Sequence, residues 1–173
     1  MRKNPVLSIG LALGGFLAGG ASAQGPDIAF GPWIGLSVNN VGGQPCSPQD
    51  CTTYAFNLAS SPVSTIDVHV FGDSGQPFVL GMAPTATLCA PLPGITNSLM
   101  LSGPLSVLAA GTMPPTSGPT ICGGPSPYPP GLFALTIPLP PGFLCPPGFE
   151  VDLQALVWNN LSFALTATIQ VIC

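Results

Sequence analysis

Three side chains near the middle of the chain are of the right types to do chemistry together: Asp67, His69 and Ser74. A serine hydroxyl becomes a nucleophile when an imidazole removes its proton and a carboxylate orients that imidazole. Asp67 and His69 alternate with apolar residues, and this spacing places both side chains on one face of a predicted strand. His69 is also the only histidine in the chain. The group is therefore the first candidate for acyl-transfer chemistry.

Ser74 belongs to the sequence GDSGQP at residues 72–77, which resembles the nucleophile motif GDSGGP of trypsin-like serine proteases. The chain departs from that motif at Gln76, where the family has glycine. The family also requires a histidine in an Ala-Ala-His-Cys context and a distant aspartate. Neighbours at i and i+2 on a strand point in parallel, ~6.5 Å apart at the backbone. Because Ser74 follows in the adjoining turn, we predict a polar strand face that ends in an Asp-Ser-Gly turn, and no catalytic residue.

A second pair of acids, Glu150 and Asp152, is predicted on the outer, solvated face of a strand. Paired carboxylates serve glycoside hydrolysis, but such sites lie in clefts with aromatic and polar helpers. Asp27 and Asp50 are isolated in the sequence, and no run of closely spaced acids offers the compact oxygen cage that calcium needs. We therefore predict no metal and no cofactor.

The cysteines point to disulfides. Their even number in an exported chain favours three bridges over free thiols. Zinc is the alternative, but structural zinc sites usually pair ligands two to four residues apart, and most of these cysteines stand far from one another. Six cysteines allow about 15 pairings, from which we predict Cys46–Cys51, Cys89–Cys122 and Cys145–Cys173.

Three aromatic residues, Trp33, Tyr128 and Trp158, form a candidate ligand platform. Exposed coplanar rings of this kind bind sugars, whereas the alternative is that they pack against the sheet or cover its edge. The sequence leaves both open.

The first 23 residues have the pattern of a secretory signal peptide. Arg2 and Lys3 precede an apolar stretch at residues 6–17, and Ala21-Ser22-Ala23 fits a cleavage site before Gln24. The alternative is a retained N-terminal anchor. Arg2 and Lys3 are the only basic residues, so their removal changes the net charge from −4 to about −6. A chain of this kind should be repelled by nucleic acids and anionic membranes, and has no second run of ~18 apolar residues to span a bilayer.

The sequence pattern of the rest of the chain predicts short β-strands. With 23 Pro and 22 Gly among 173 residues, long helices are excluded. Alternation of period two predicts strands at 53–58, 64–70, 78–82, 133–137, 149–157 and 161–171. In the last two, the pattern places Phe163 inward and Gln154 outward, and Asn159-Asn160 is predicted as the hairpin turn between them. The Pro-rich segments 112–131 and 138–148 are predicted to be extended loops held by disulfides.

From residue 63 onward the layout resembles a β-rich module that closes secreted, mostly uncharacterised proteins of planctomycete-type and related bacteria. The matching stretches are PFVLGMAPT at 77–85, TLCAPLPG at 87–94, FALTIPLPP at 133–141 and FEVDLQALVWNNLSFALTATIQV at 149–171. The shared pattern is a Leu-Gly turn, a Cys-bearing loop, a strand that ends in Pro and a final hairpin with Gln154-Ala155. The chain departs at its Pro-rich insert with Cys122 and at Cys173. The resemblance implies an exported β-sandwich-like domain and no catalytic residue.

These observations together predict a signal peptide at 1–23 and one domain at 24–173, an all-β, disulfide-stapled antiparallel β-sandwich of seven to nine strands with Pro/Gly-rich loops. The expected protein is secreted or at the cell surface and is not an enzyme. Its expected role is structural or in interaction with an unknown protein or glycan, and the alternative is a carbohydrate-binding module that uses exposed aromatics.

Overall fold

The chain folds as an all-β protein. The computed structural model describes residues 34–43, 50–60, 63–117, 130–159 and 162–173. This described part contains thirteen strands: β1 (Gly35–Val38), β2 (Val41–Gly43), β3 (Thr53–Asn57), β4 (Thr65–Asp73), β5 (Pro77–Ala83), β6 (Thr85–Pro91), β7 (Ile95–Thr96), β8 (Ser98–Ser102), β9 (Ser106–Thr112), β10 (Pro130–Pro138), β11 (Glu150–Asn159), β12 (Ser162–Leu165) and β13 (Thr168–Ile172).

One layer is a four-stranded antiparallel sheet in the order β10-β4-β1-β2. Its tightest connection joins β1 to β2 through Asn39 and Asn40, which both have positive φ angles, 48° and 64°. Two such residues are what a two-residue hairpin turn requires, because their twist matches that of the strands. Asparagine tolerates this backbone conformation better than most residues, which explains its place here.

The other layer is a seven-stranded sheet with β11 at its centre. On one side β11 pairs with β5, and β5 pairs with β9 at the edge. On the other side β13 pairs with the first half of β11 and β12 with its second half. Beyond them lie β3 and β7, which pair in parallel with β13 and β12. These two parallel pairs depart from the fully antiparallel sandwich that the sequence predicted.

The two sheets enclose one hydrophobic core. The strands predicted from alternation supply most of it, and the unpredicted strand β1 adds Leu36 and Val38. The buried core side chains are Ile34, Leu36, Val38, Phe56, Leu58, Val68, Val70, Phe78, Leu80, Met113, Leu153, Ala155, Val157, Ala164, Ile169 and Val171. The inward rows of β3, β4, β5 and β11 are thereby confirmed.

A β-bulge between β12 and β13 overturns part of the prediction for the last strand. Leu165 lies opposite Leu156 and Ile169 opposite Leu153, so one extra residue is inserted on the β12–β13 side. Such an insertion reverses which face each later side chain occupies. Ala164 therefore faces the core, while Phe163, predicted inward, lies half-buried on the outer face.

The middle of the outer face of β11 is buried, which contradicts the solvated face that the sequence predicted. A two-stranded ribbon, β6–β8, lies over it, and Asp152 and Gln154 are buried with 0% and 2% of their surface exposed. Gln154 Oε1 accepts a hydrogen bond from the Met100 backbone N–H at 3.0 Å. Its Nε2 donates to Ser98 O at 3.0 Å and to Thr166 O at 2.9 Å. The prediction failed because alternation identifies a face but does not show whether another layer covers it.

Other elements differ from the sequence prediction in extent. The four strands β6–β9 and the pair β1–β2 were not predicted, and β9 ends at Thr112, inside the segment predicted as a loop. The Leu80-Gly81 pair lies within β5 and is not a turn, although a register shift occurs there against β9. Residues 139–149 form an irregular Pro-rich connection, as predicted. The predicted turn at Asn159-Asn160 extends outside the described residues. Within the described ranges, no helix is long and apolar enough to cross a membrane.

We predict that Gln154→Ala lowers the free energy of unfolding by roughly 3 kcal/mol, because it leaves one N–H and two carbonyl groups without their partner in a buried site. Urea titration followed by circular dichroism measures this. Gln170→Ala is the matched control: it removes one hydrogen bond at the surface, from Gln170 Nε2 to Glu150 Oε1, and should change stability by less than about 0.5 kcal/mol. Equal effects of the two substitutions would contradict a special role for Gln154.

Candidate functional site

Asp67 and His69 lie next to each other on the outer face of β4, as predicted, and both are half-buried. On one side, Asp67 lies opposite Thr136 of β10 and His69 lies opposite Ala134 of β10. Residues of the hairpin β1–β2 lie on the other side of both. The imidazole ring lies edge-on to Phe71, with ring centroids 6.3 Å apart.

The Asp67 carboxylate is held by neutral hydroxyl donors. Thr136 Oγ1 donates to Oδ1 at 2.7 Å and Thr65 Oγ1 donates to Oδ2 at 3.2 Å. The Asp67 backbone N–H donates to Asn39 Oδ1 at 2.6 Å, and Asn39 Nδ2 donates to Thr65 O at 3.2 Å. The side chain of Asn39 thereby ties its hairpin turn to the start of β4, and Asp67 acts as an acceptor within this network.

These residues surround an open cavity of about 420 Å³ on the outer face of the four-stranded sheet. Its lining is mostly polar: Asn39, Asn40, Val63, Ser64, Thr65, Asp67 and His69. Sequence reasoning found Asp67 and His69 but missed Asn39, Asn40 and Thr136. The Asn-Asn pair after an apolar strand was a hairpin signal that could have indicated two of them.

Ser74 does not join this group. It lies in the turn after β4, beyond Asp73, while His69 lies in the middle of the strand. Five residues of extended chain separate the two backbones by ~17 Å, at ~3.3 Å per residue. A nucleophile and its base must be within hydrogen-bonding distance, ~3 Å, so these residues do not form a triad in this conformation.

The acids Glu150 and Asp152 occupy different environments although they are two residues apart on β11. Glu150 is exposed and accepts a hydrogen bond from Gln170 Nε2 at 2.8 Å, whereas Asp152 is wholly buried. The sequence analysis placed both in solvent, and for Asp152 that was wrong. The ribbon β6–β8 lies over this face, so the pair does not line an open cleft as glycoside hydrolysis would need.

Two disulfides join described residues: Cys51–Cys89 and Cys145–Cys173, each with Cα atoms 5.5 Å apart. The predicted pair Cys145–Cys173 is confirmed. The predicted pairs Cys46–Cys51 and Cys89–Cys122 are wrong, because Cys51 and Cys89 are bonded to each other. Sequence proximity favoured Cys46 for Cys51, but the fold brings the segment before β3 against the ribbon, where β6 carries Cys89. Cys46 and Cys122 lie outside the described residues. Disulfides of this kind are consistent with folding in an oxidising compartment.

Asp50, Cys51 and Cys89 form an exposed cluster whose potential ligand atoms lie within 4.8 Å of one another. Both sulfur atoms belong to the disulfide, so neither is a thiolate that could bind a metal. The Asp50 carboxylate instead accepts a hydrogen bond from the Ser98 backbone N–H at 2.8 Å, and its Oδ1 lies 3.6 Å from Cys51 Sγ. The cluster therefore fastens the ribbon β6–β8 to the segment before β3.

Of the three rings in the candidate ligand platform, only Trp158 is described; Trp33 and Tyr128 lie outside the described residues. Trp158 is on the outer face of β11, half-buried, in an edge-to-face pair with Phe163 at a centroid distance of 4.8 Å. Phe163 reaches this position because of the bulge between β12 and β13.

A second cavity, about 330 Å³, is mainly apolar. It lies beside the irregular segment 139–149 and is lined by Leu58, Ala59, Val63, Leu139, Phe143, Leu144 and Cys145. Leu144 is 87% exposed, and Phe143 and Phe149 are also exposed. The Cys145–Cys173 disulfide holds this segment to the end of β13, and Cys173 N donates to Phe149 O at 3.1 Å.

Comparison with known proteins gives no relative: no family model, no curated protein and no solved structure matches this chain.

We predict that peptic peptides of the unreduced protein contain Cys51 joined to Cys89 and Cys145 joined to Cys173. Mass spectrometry before and after reduction measures this, and a Cys46–Cys51 peptide would contradict the structure. Replacing Cys145 and Cys173 together by Ser should lower stability by about 2–4 kcal/mol, because the bridge closes a loop between two cysteines that are 28 residues apart.

We further predict that a fluorophosphonate probe does not label Ser74, since His69, the one histidine of the sequence, lies too far along β4 to remove the proton of its hydroxyl. Ser74→Ala and His69→Ala should leave the circular dichroism spectrum unchanged. Labelling of the unmodified protein that His69→Ala abolishes would show that the two residues do act together.

Proposed function

We propose that this chain is an exported, non-enzymatic module that acts through its surface, as part of a structural assembly or by binding a partner at the cell surface. The residues best suited to chemistry support this proposal by their positions. Ser74 is remote from His69, Asp67 is an acceptor in a structural network, and the described cysteines are in disulfides.

The observation that supports the proposal most strongly is the apolar segment 139–149. Exposed apolar side chains grouped on a surface mark interaction sites more often than catalytic ones. Here Phe143, Leu144 and Phe149 are exposed beside the apolar cavity, on a segment with four prolines and a disulfide. Such a segment is already ordered before it meets a partner, so little conformational entropy is lost on binding.

Export is part of the same proposal. The signal-like residues 1–23 lie outside the described part of the chain, and the structural support is the two disulfides, which persist in oxidising compartments. The acidic balance disfavours nucleic acids and anionic lipids as partners. An uncharged or basic protein surface, or a neutral glycan, fits it better.

A glycan is the second candidate, and the polar cavity around Asp67 is the observation that favours it. Its lining combines a carboxylate, two amide side chains and two hydroxyl groups, which are the donors and acceptors that recognise sugar hydroxyls. The aromatic platform of the sequence analysis contributes less to this candidate, because Trp158 is packed against Phe163.

A photo-crosslinking residue at Leu144, in protein expressed by its native source, tests the first candidate. We expect an adduct of discrete mass in the medium or envelope fraction, and none from the same residue at exposed Ala55 on β3. N-terminal sequencing of the recovered protein should begin at Gln24. Absence of an adduct at Leu144, or protein that still begins at Met1, contradicts the proposal.

Glycan-array binding that Asp67→Ala abolishes would establish the second candidate.

A further inference from the structure

The edge strand β9 is long, uncharged and open. Among the described residues it pairs with β5 alone, and five of its seven residues are exposed. Its sequence, SVLAAGT, contains no Pro and no charged residue. An edge of this kind presents unpaired N–H and C=O groups on which another strand can assemble.

The other edges of the two large sheets are guarded. β10 begins and ends at a proline, Pro130 and Pro138, which cannot donate to a neighbouring strand. β2 has three residues, β7 has two and β3 has five, and a short edge offers few hydrogen bonds. Lysine is the usual guard of an exposed edge, and this chain has none after Lys3. β9 is guarded only by a bulge, where Leu108 lies opposite no residue of β5.

The side chains around β9 extend this edge into an apolar patch. Leu105 and Val107 are 59% and 62% exposed, and Val79 of the neighbouring β5 is also exposed. Val79 lies opposite Ala110, and Val107 lies opposite Gly81. None of the six acidic residues is on β5 or β9. The patch is therefore a neutral area on a protein that is otherwise acidic, where two copies can approach with little repulsion.

We propose that two copies of this chain associate through β9, edge to edge and antiparallel, so that the seven-stranded sheets join into one continuous sheet. A two-fold axis gives this arrangement, in which the same surface serves both copies. The strand is complementary to itself. Val107 and Leu108 lie in its first half, and Leu105 directly precedes the strand. Its second half contains Ala109, Ala110 and Gly111. Antiparallel pairing lays the bulky half of each copy along the small half of the other.

This dimer combines main-chain hydrogen bonds with burial of the exposed side chains on both copies, which is how strand addition gains affinity. It uses no charged group. The proposal rests on the chain's own surface and stands whether or not segment 139–149 binds a partner. Its test needs only the purified, disulfide-bonded mature chain.

Sedimentation equilibrium over a range of concentrations tests association. We expect the average mass to rise from that of one chain to twice that value. The double variant Val107→Lys with Ala110→Lys should remain at the mass of one chain, because paired copies would bring like charges together on adjacent strands. Both positions are exposed in the single chain, so its unfolding temperature should be unchanged at low concentration. The control Leu144→Lys, which is also at an exposed position but remote in sequence, should still form the dimer.

Hydrogen exchange identifies the surface independently. At high concentration the amides of β9 that point away from β5 should exchange at least ten-fold more slowly than at low concentration. Those of β3, the edge strand at the other side of the sheet, should not change. A protein that remains a single chain at every concentration overturns the proposal. A dimer that survives both lysines, or protection at β3 or at 139–149 without protection at β9, overturns it as well.

Discussion

A buried side-chain amide, that of Gln154 on β11, holds the ribbon β6–β8 to the seven-stranded sheet. Gln154 offers its carbonyl to Met100 and its amino group to Ser98, so it pairs with β8 much as a neighbouring strand would. The same amino group binds Thr166 at the bulge between β12 and β13. Buried polar groups need such partners, because each unmet one costs about 1–3 kcal/mol. Gln154 therefore supplies the partners that the backbone groups of Ser98 and Met100 need when the ribbon β6–β8 covers the large sheet.

The bulge explains where alternation predicted the fold and where it failed. The inward rows of β3, β4, β5 and β11 follow period two because one continuous core lies on their inner side. β12 does not follow, since the extra residue before β13 reverses its faces. Two hydrogen bonds to a different strand stabilise the bulge: Thr166 N–H donates to Ala155 O, and Ala155 N–H donates to Thr166 Oγ1. A pattern read along one strand contains no information on that contact.

The candidate site, too, could be predicted only in part from the sequence. Asp67 and His69 could be placed on one face from the sequence, because their spacing alone determines it. The residues that complete the network come from elsewhere: Asn39 is 28 residues from Asp67, and Thr136 is 69 residues away. Asp152 was misplaced for a related reason. Its face was predicted, but the ribbon that buries it was not, because β6 (TATLCAP) is mostly small residues and β8 (SLMLS) has a continuous apolar run, and neither alternates clearly.

The described residues include no Lys or Arg, and three of the described acids are met by neutral donors instead. Asp50 is met by the Ser98 backbone N–H, Asp67 by the Thr136 hydroxyl and Glu150 by the Gln170 amide. These donors are neutral, so the carboxylates are satisfied but their charge is not cancelled. Two copies of the chain therefore repel one another at long range, and salt screens this repulsion. An interface built from apolar side chains and main-chain hydrogen bonds, as proposed for β9, gains from that screening, whereas one built from ion pairs would be weakened by it.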